Sequence, residues 1–588
     1  MPAASPDLNA RKRGKEAKMH SIQPMAVQHR PFMEDRYTRQ DGTVVLRLHT
    51  ARGDFDRALA RVASNYEPGK FEKKARSWPM TRMWQSADED LWQLELQPED
   101  PRLLYDFLLE GQGQTWQFDA DGLGPVRSGT CFHYHHAWPH RALPEWAQGR
   151  VGYQIFPDRF RRGGTAEPGE KLEPWQSRRV QNQYRFGGNL QGMIEAVPYL
   201  HDLGVTLVYM TPIFLSDTSH RYNTFDYYQV DPLLGTKEDL AKLAQALHAR
   251  GMRLILDGVF NHCGLGFAPF KEAVKNEKSR YRDWFLFGDW PCGYMTFGKS
   301  WAYMPKLNTE NPEVIDYFCD VGEYWLREAG IDGWRLDVSP EVSSRFWRCF
   351  RERILRQNPE AIMVAECWDD SREWLCTDLF DSTMNYVTAG HLWNAFADHT
   401  LSMRELDERL NADSMRYPDY VTNSLWTFLD SHDTPRIRTR CKTDRDMRAA
   451  VFCQMTLPGV PIVYYGDELG MRGGMDPQCR RPMTWNETGN AWHRFYKDLI
   501  ALRNAHPALL RGDYRTVQAG DCLAFERTCQ EETLLCIVNP TARAQAVRIP
   551  VPGNAGTFTD LLTGKSMGKG AELALKLRPG QGMILARK

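Results

Sequence analysis

IDGWRLDV, residues 331–338, reads as a buried β-strand that ends on a charged pair. Ile331, Trp334, Leu336 and Val338 make it apolar enough to be covered on both faces, as parallel strands flanked by helices are. Arg335 and Asp337 stand two residues apart, so on a strand both side chains leave the same face. Three more segments set a carboxylate near the end of an apolar run: DGVFNH (257–262), AECW (365–368) and SHD (431–433).

Outward from there, eight strand-like runs alternate with helical segments: GYQIFP (152–157), TLVYMTP (206–212), RLILDGVF (253–260), IDGWRLDV itself, AIMVAECW (361–368), LFDSTMN (379–385), SLWTFLDSHD (424–433) and PIVYYGDE (461–468). KEDLAKLAQALHARG (237–251) shows the helical spacing and closes on a Gly stop signal. This alternation predicts an α/β fold, a (β/α)8 TIM barrel over 139–505. A doubly wound open sheet is the alternative, but no GxGxxG opens a helix. The aromatic- and Gly-rich stretch 263–308, after the third strand, is expected as an inserted subdomain over the barrel's C-terminal mouth, where barrel active sites lie.

On either side the pattern changes. TVVLRLHT (43–50), LWQLEL (91–96) and RLLYDFLLEG (102–111) are short, partly alternating runs that predict an N-terminal β-sandwich over 31–138. HAWPHRALPEW (136–146) reads as a linker, and 506–588 as a C-terminal all-β domain. Residues 1–30 read as a disordered tail, or as an upstream start with translation beginning at Met19 or Met25. No apolar run in the sequence suggests a signal peptide or a membrane span.

Lys and Arg (74) balance Asp and Glu (75), so no global field draws in nucleic acid or an anionic membrane, and a neutral ligand fits better. The 19 Trp suit stacking on sugar faces, although Trp also fills large cores. Thirteen Cys without CxxC pairs suit a reducing compartment and a cytoplasmic protein. CFHYHHAWPH (131–140) clusters four His, yet its spacing matches no zinc pattern and strand alternation would split the ligands between faces; no metal site is expected there.

The carboxylates point to glycosidic bond cleavage. Asp337 beside Arg335 is expected to be held ionised, as a nucleophile requires; an ordinary ion pair is the plain alternative. Glu366, in the apolar IMVAECW, suits a general acid because burial favours the protonated form. Asp433 would stabilise an oxocarbenium-like transition state, with His432 beside it for sugar hydroxyls. In the third-strand motif Asp257 would support, Asn261 would be structural and His262 would contact sugar. Trp368 either stacks on a sugar or packs.

These motifs, taken in order, resemble the α-amylase family of retaining glycoside hydrolases, from about residue 30 to the C-terminus. MPKLN (304–308), YQIFPDRF (153–160), HRYNTFDYYQVDP (220–232), FWR (346–348) and YYGDELGMRGGMDPQCRRPM (464–483) further resemble its cyclomaltodextrinase, neopullulanase and maltogenic amylase branch. The resemblance implies Asp337 as nucleophile, Glu366 as acid/base and Asp433 as transition-state stabiliser. It implies Arg335, His262 and His432 around the sugar at the cleavage point and Tyr222 as its platform. Asp476 and Arg480 would contact the next sugar. The implied substrates are cyclomaltodextrins, maltooligosaccharides and pullulan, cleaved at α-1,4 bonds, with α-1,6 bonds left open. A transglycosylase, an exo-α-glucosidase or a non-catalytic relative would share much of this pattern. The N-terminal domain takes the place of a starch-binding-like module that commonly mediates homodimerisation.

Two departures from the branch stand out. RRGGTAEPGE (161–170) and FGGNL (186–190), with Asn189 where the branch has Asp, lack the anionic oxygens calcium prefers, so no cofactor is required and structural calcium is expected to be weak or absent. DVSPEV (337–342) carries Ser339-Pro340 where the branch has Ala-Asn, which leaves hydrolysis against transglycosylation open.

Overall fold

A computed structural model of the chain describes residues 21–32, 34–126, 130–135, 141–164, 171–177, 179–299, 301–550 and 556–587. It divides into two compact units, one ending at His140 and one beginning at Arg141. The first unit is a sandwich of two antiparallel sheets. One is ordered Arg36–Thr38, Val44–Ala51, Glu89–Leu96, Thr81–Gln85; the other is built around Arg57–Ser64 and Leu103–Gly111. Val44, Leu46, Leu48, Trp92, Ala60, Tyr105 and Phe107 fill the space between them. The expected tail of 1–30 is too long: Val27 is buried in that core, and Gln28 and His49 exchange backbone hydrogen bonds of 3.0 and 2.9 Å.

In the second unit the barrel strands are β1 (Gly152–Ile155), β2 (Leu207–Met210), β3 (Arg253–Gly258), β4 (Gly333–Leu336), β5 (Ile362–Ala365), β6 (Ser382–Thr383), β7 (Trp426–Phe428) and β8 (Val460–Tyr464). They form one parallel sheet in the order β6-β5-β4-β3-β2-β1-β8-β7. A parallel bridge between Met384 and Trp426 closes the gap between β6 and β7. Seven of the eight strands lie inside the runs read from the sequence, and β8 begins one residue before its run, at Val460.

Alternation along the strands splits their apolar residues between two cores. Leu207, Tyr209, Ile255, Ile362, Val364, Trp426, Phe428 and Ile462 fill the barrel interior, a packed core rather than a pore. Val208, Met210, Leu254, Leu256, Trp334, Leu336, Met363 and Val463 face the surrounding helices. Gly333 is required by close approach: a Cβ there would sit 2.3 Å from the Ile362 carbonyl oxygen. The helix Lys237–His248 starts on a Thr236–Asp239 capping box and stops three residues before the left-handed Gly251. The C-terminal sheet, Asp513 to Arg587, is tied to the barrel by Arg527, which donates to the carbonyls of Thr456 and Gly512 (2.8 Å to the latter).

Candidate active site

The C-terminal ends of β3, β4, β5 and β7 carry the four carboxylates to one mouth, where a cleft of about 530 Å³ opens. Asp337, Glu366, Asp433, Tyr222, His262, Trp368, Asp476 and Arg480 line it, together with Phe297, Trp301 and Tyr303 of the inserted segment. Arg335 and Asp257 lie directly beneath, fully buried.

Arg335 is the electrostatic centre. Its Nη1 donates to both oxygens of Asp257 at 3.0 Å and to Asp337 Oδ1 at 3.1 Å. Its Nη2 lies 2.8 Å from Glu366 Oε1, an ion pair too poorly aligned to count as a hydrogen bond. One cation therefore serves three carboxyl groups. The sequence expectation for Asp337 is corrected on this point. Burial and the Glu366 charge outweigh the shared guanidinium, so the Asp337 carboxyl is pushed well above the usual range. Asp257 is likewise raised to about 6 by burial, despite Arg335 and the hydroxyl of Tyr209 at 2.6 Å.

Asp337 Oδ2 and His262 Nε2 are buried and have no hydrogen-bond partner. Both border the cleft, where a ligand rich in hydroxyls would supply partners. Glu366 does not sit in the apolar setting the sequence suggested. Val338 N–H donates to its Oε2 at 2.9 Å and Trp368 Nε1–H to its Oε1 at 3.2 Å. Val338 makes its bond from a left-handed conformation (φ 46°, ψ 45°), a strained state for a β-branched residue. Trp368 packs with one ring face on Tyr386 at 4.0 Å, while half of the residue stays exposed in the cleft.

The remaining expected residues gather around this centre. Tyr222 lies parallel to His432 with ring centroids 5.5 Å apart. His262 stacks on Phe297 and is pushed down to about 3 by burial and the nearby Lys306 cation, so it stays neutral. Arg480 pairs with Asp433 at 3.1 Å and Asp476 at 2.9 Å, joining the three into one wall. Asn261 is structural in a definite sense: it accepts from Lys306, whose ammonium also reaches Glu341 Oε2 at 3.0 Å. Lys306, Glu341, Tyr209 and His220 were missed as site residues. Lys306 in MPKLN, His220 in HRYNTFDYYQVDP and Glu341 in DVSPEV each stood inside a singled-out motif with no role given to them, and Tyr209 stood in a run read only as a strand.

In the second departure, Ser339 Oγ donates to the Leu336 carbonyl at 2.7 Å and Pro340 lines the cleft. In the first, Asn189 caps the helix Leu190–Leu203 through Gly192 N and exchanges hydrogen bonds of 3.0 and 2.9 Å with Gly163 N and O. Residues 165–170 of that loop, and 136–140 of the His-rich segment, lie outside the described residues. Among the described residues no group of three or more His, Cys, Asp or Glu is arranged to hold a metal, and no helix is long and apolar enough to cross a membrane.

The "Alpha amylase, catalytic domain" family model matches residues 154–494. The chain belongs to the alpha-amylase family. The α-amylase N-terminal ig-like domain matches 23–137 and the maltogenic amylase C-terminal domain 514–584. Neopullulanase 2 of Thermoactinomyces vulgaris is 40% identical over 563 residues, covering 92% of this chain and 95% of that protein. A cyclomaltodextrinase of Geobacillus thermopakistaniensis is 37% identical, covering 95% and 98%. A solved cyclomaltodextrinase structure superposes with a TM-score of 0.89 at 35% identity, over 96% of this chain and all of the other. As an alpha-amylase family hydrolase, the chain thus resembles α-glucan-cleaving enzymes along nearly its whole length.

Proposed function

We propose that the protein is a retaining α-glucan hydrolase that cleaves α-1,4-glucosidic bonds of cyclomaltodextrins, maltooligosaccharides and pullulan. One observation carries the reading: a single guanidinium reaches both Asp337 and Glu366 at one cleft wall. Carboxyls held this near each other suit direct attack by one on the anomeric carbon. Asp337 Oδ2, free of partners and facing the cleft, is the attacking atom. Glu366 protonates the leaving oxygen, then takes a proton from the water that releases the covalent glycosyl enzyme. Its hydrogen bonds to Val338 and Trp368 fix its orientation beside the nucleophile. Asp433, fixed by Arg480, stabilises the positive charge developing on the sugar ring, while Arg335 holds the Asp337 and Glu366 carboxylates in place.

The raised Asp337 carboxyl fits this scheme with a condition. Asp337 must give up its proton before attack begins, which the Arg335 guanidinium at 3.1 Å favours. The α-1,6 bonds of branched chains are a further target, supported by the similarity to neopullulanase. Cytoplasmic action is supported by the 36% identity to the intracellular maltogenic amylase of Bacillus subtilis. A homodimer through the N-terminal unit, without nucleic acid or membrane partners, completes the proposal; sedimentation at micromolar concentration tests it.

The deciding experiment follows the products of β-cyclodextrin, maltotriose, pullulan and starch side by side, with the anomeric configuration read by proton NMR at early times. Retention requires the α-anomer first. Initial β-anomer or no new reducing ends refutes the proposal, while longer transfer products would shift it towards a transglycosylase.

A further inference from the structure

Gln154 gave no catalytic signal in the sequence, because a lone glutamine in GYQIFP looks like one polar residue in an apolar strand. In the barrel it is 1% exposed on β1, paired in register with Tyr209 of β2 and Tyr464 of β8. Its amide nitrogen lies 2.7 Å from His432 Nδ1. On the other side of the imidazole, Nε2 lies 2.5 Å from Tyr222 Oη and 3.1 Å from Asp433 Oδ2.

Counting protons fixes the direction of these bonds. Tyr222 has one hydroxyl proton, which Asp257 Oδ2 accepts at 3.0 Å. Asp257 is an acceptor on every side, since Tyr209 donates at 2.6 Å and Arg335 at 3.0 Å. Tyr222 Oη must therefore accept from His432, so Nε2 bears the proton and Nδ1 is bare. A bare, buried Nδ1 needs a donor, and the amide nitrogen of Gln154 supplies it.

We propose that Gln154 is a positioning residue that fixes His432 as the neutral Nε2–H tautomer and so sets a one-way relay from Gln154 through His432 and Tyr222 to Asp257. Asp433 Oδ2 lies 3.1 Å from the same Nε2, close enough to feel the partial positive charge of its N–H without being aligned as a hydrogen bond. With the other tautomer, a lone pair would face the Asp433 carboxylate, and Tyr222 would have to turn its proton away from Asp257. The ring that serves as sugar platform would then lose its donor, and the carboxylate that stabilises the transition state would lose the favourable field of the N–H.

The charges around the ring agree. Arg480 and Arg335 oppose an imidazolium, Glu366 and Asp433 favour one, His220 stands neutral beyond Tyr222, and burial tips the balance to the neutral ring. The inference rests on the functional reading above for its consequence, but not for its observable.

The test uses the full chain, labelled with nitrogen-15 at histidine, and two variants. In long-range proton–nitrogen spectra, the His432 signal (assigned by its loss in His432→Gln) should show a protonated Nε2 and a bare Nδ1. It should not titrate between about pH 5 and 8. Gln154→Glu keeps length but replaces the donor with an acceptor, so His432 should become doubly protonated and titrate in that window, adding a limb to the pH–rate profile. Gln154→Met should lower kcat about tenfold to a hundredfold without a new limb and with little change in KM. A wild-type ring protonated at Nδ1, or a Gln154→Glu enzyme with the wild-type pH profile, overturns the proposal. Should Gln154→Glu fail to fold, the wild-type tautomer alone decides. A wild-type chain that shows the tautomer but releases no sugar would sink the functional reading and leave this one standing.

Discussion

Asp257→Asn should make the protein more stable and less active at once. The Asp257 carboxyl, ordinarily near 3.8, is raised to about 6 by burial, and that figure already contains the attraction of Arg335. Ionising it in the folded chain therefore costs more than in the unfolded chain, by about 3 kcal/mol. Below about pH 4 the group is protonated in both states and the cost is absent. Between about pH 4 and 6 only the unfolded chain gives up its proton, so stability falls as pH rises; above that window the whole cost is present. Asparagine keeps an oxygen for the hydroxyls of Tyr209 and Tyr222 and leaves no cavity. The variant should exceed the wild type by up to about 3 kcal/mol at pH 7, with the gap closing towards pH 4. Isothermal urea unfolding at a series of pH values measures it. Turnover should fall at least about a hundredfold, because Arg335 is then drawn wholly towards Asp337 and Glu366. A variant less stable than wild type at pH 7, or a gap that does not vary with pH, would refute the electrostatic reasoning.

Asp337→Asn should lower turnover by at least about a thousandfold while calorimetry still detects maltooligosaccharide binding; near-wild-type activity would remove Asp337 as nucleophile. Val338→Asn, which suits the left-handed backbone, should raise stability by about 1 kcal/mol in urea unfolding, and a loss of stability would contradict strain at that position. Lys306→Met removes the cation held between Asn261 and Glu341 and one of the causes that keep His262 neutral. The acid limb of kcat/KM should therefore move to higher pH, and an unmoved limb would show that Lys306 serves only packing. Excess calcium or a chelator should leave the thermal melt in place, because the Asn189 amide already bridges Gly163 and the helix start; a strong calcium-dependent rise would overturn this.

The strands were legible because parallel barrel strands are covered on both faces and read as short apolar runs, and the carboxylates because they break those runs at the end. What the sequence concealed depends on distance and direction. Lys306 meets Asn261 from 45 positions away, which no local pattern encodes. Gln154 matters only through the imidazole it faces, 278 positions away. Val338 gives no hint of its positive φ, since β-branched residues are the last expected there. The ionisation of Asp337 was misjudged because the sequence shows Arg335 with one carboxylate and the fold gives it three.

That sharing has an evolutionary consequence. A cation that balances three acids cannot be tuned for one of them without detuning the others, so substitutions at Arg335, Asp257, Asp337 and Glu366 are bound to be epistatic. Double variants among the four should lose far less than the product of the single losses. Such a centre is inherited or abandoned as a block. The freedom to change which glucan is cut then falls to residues outside it, such as Pro340, Trp368 and the aromatic rim of the inserted segment, where one exchange leaves the charge balance intact.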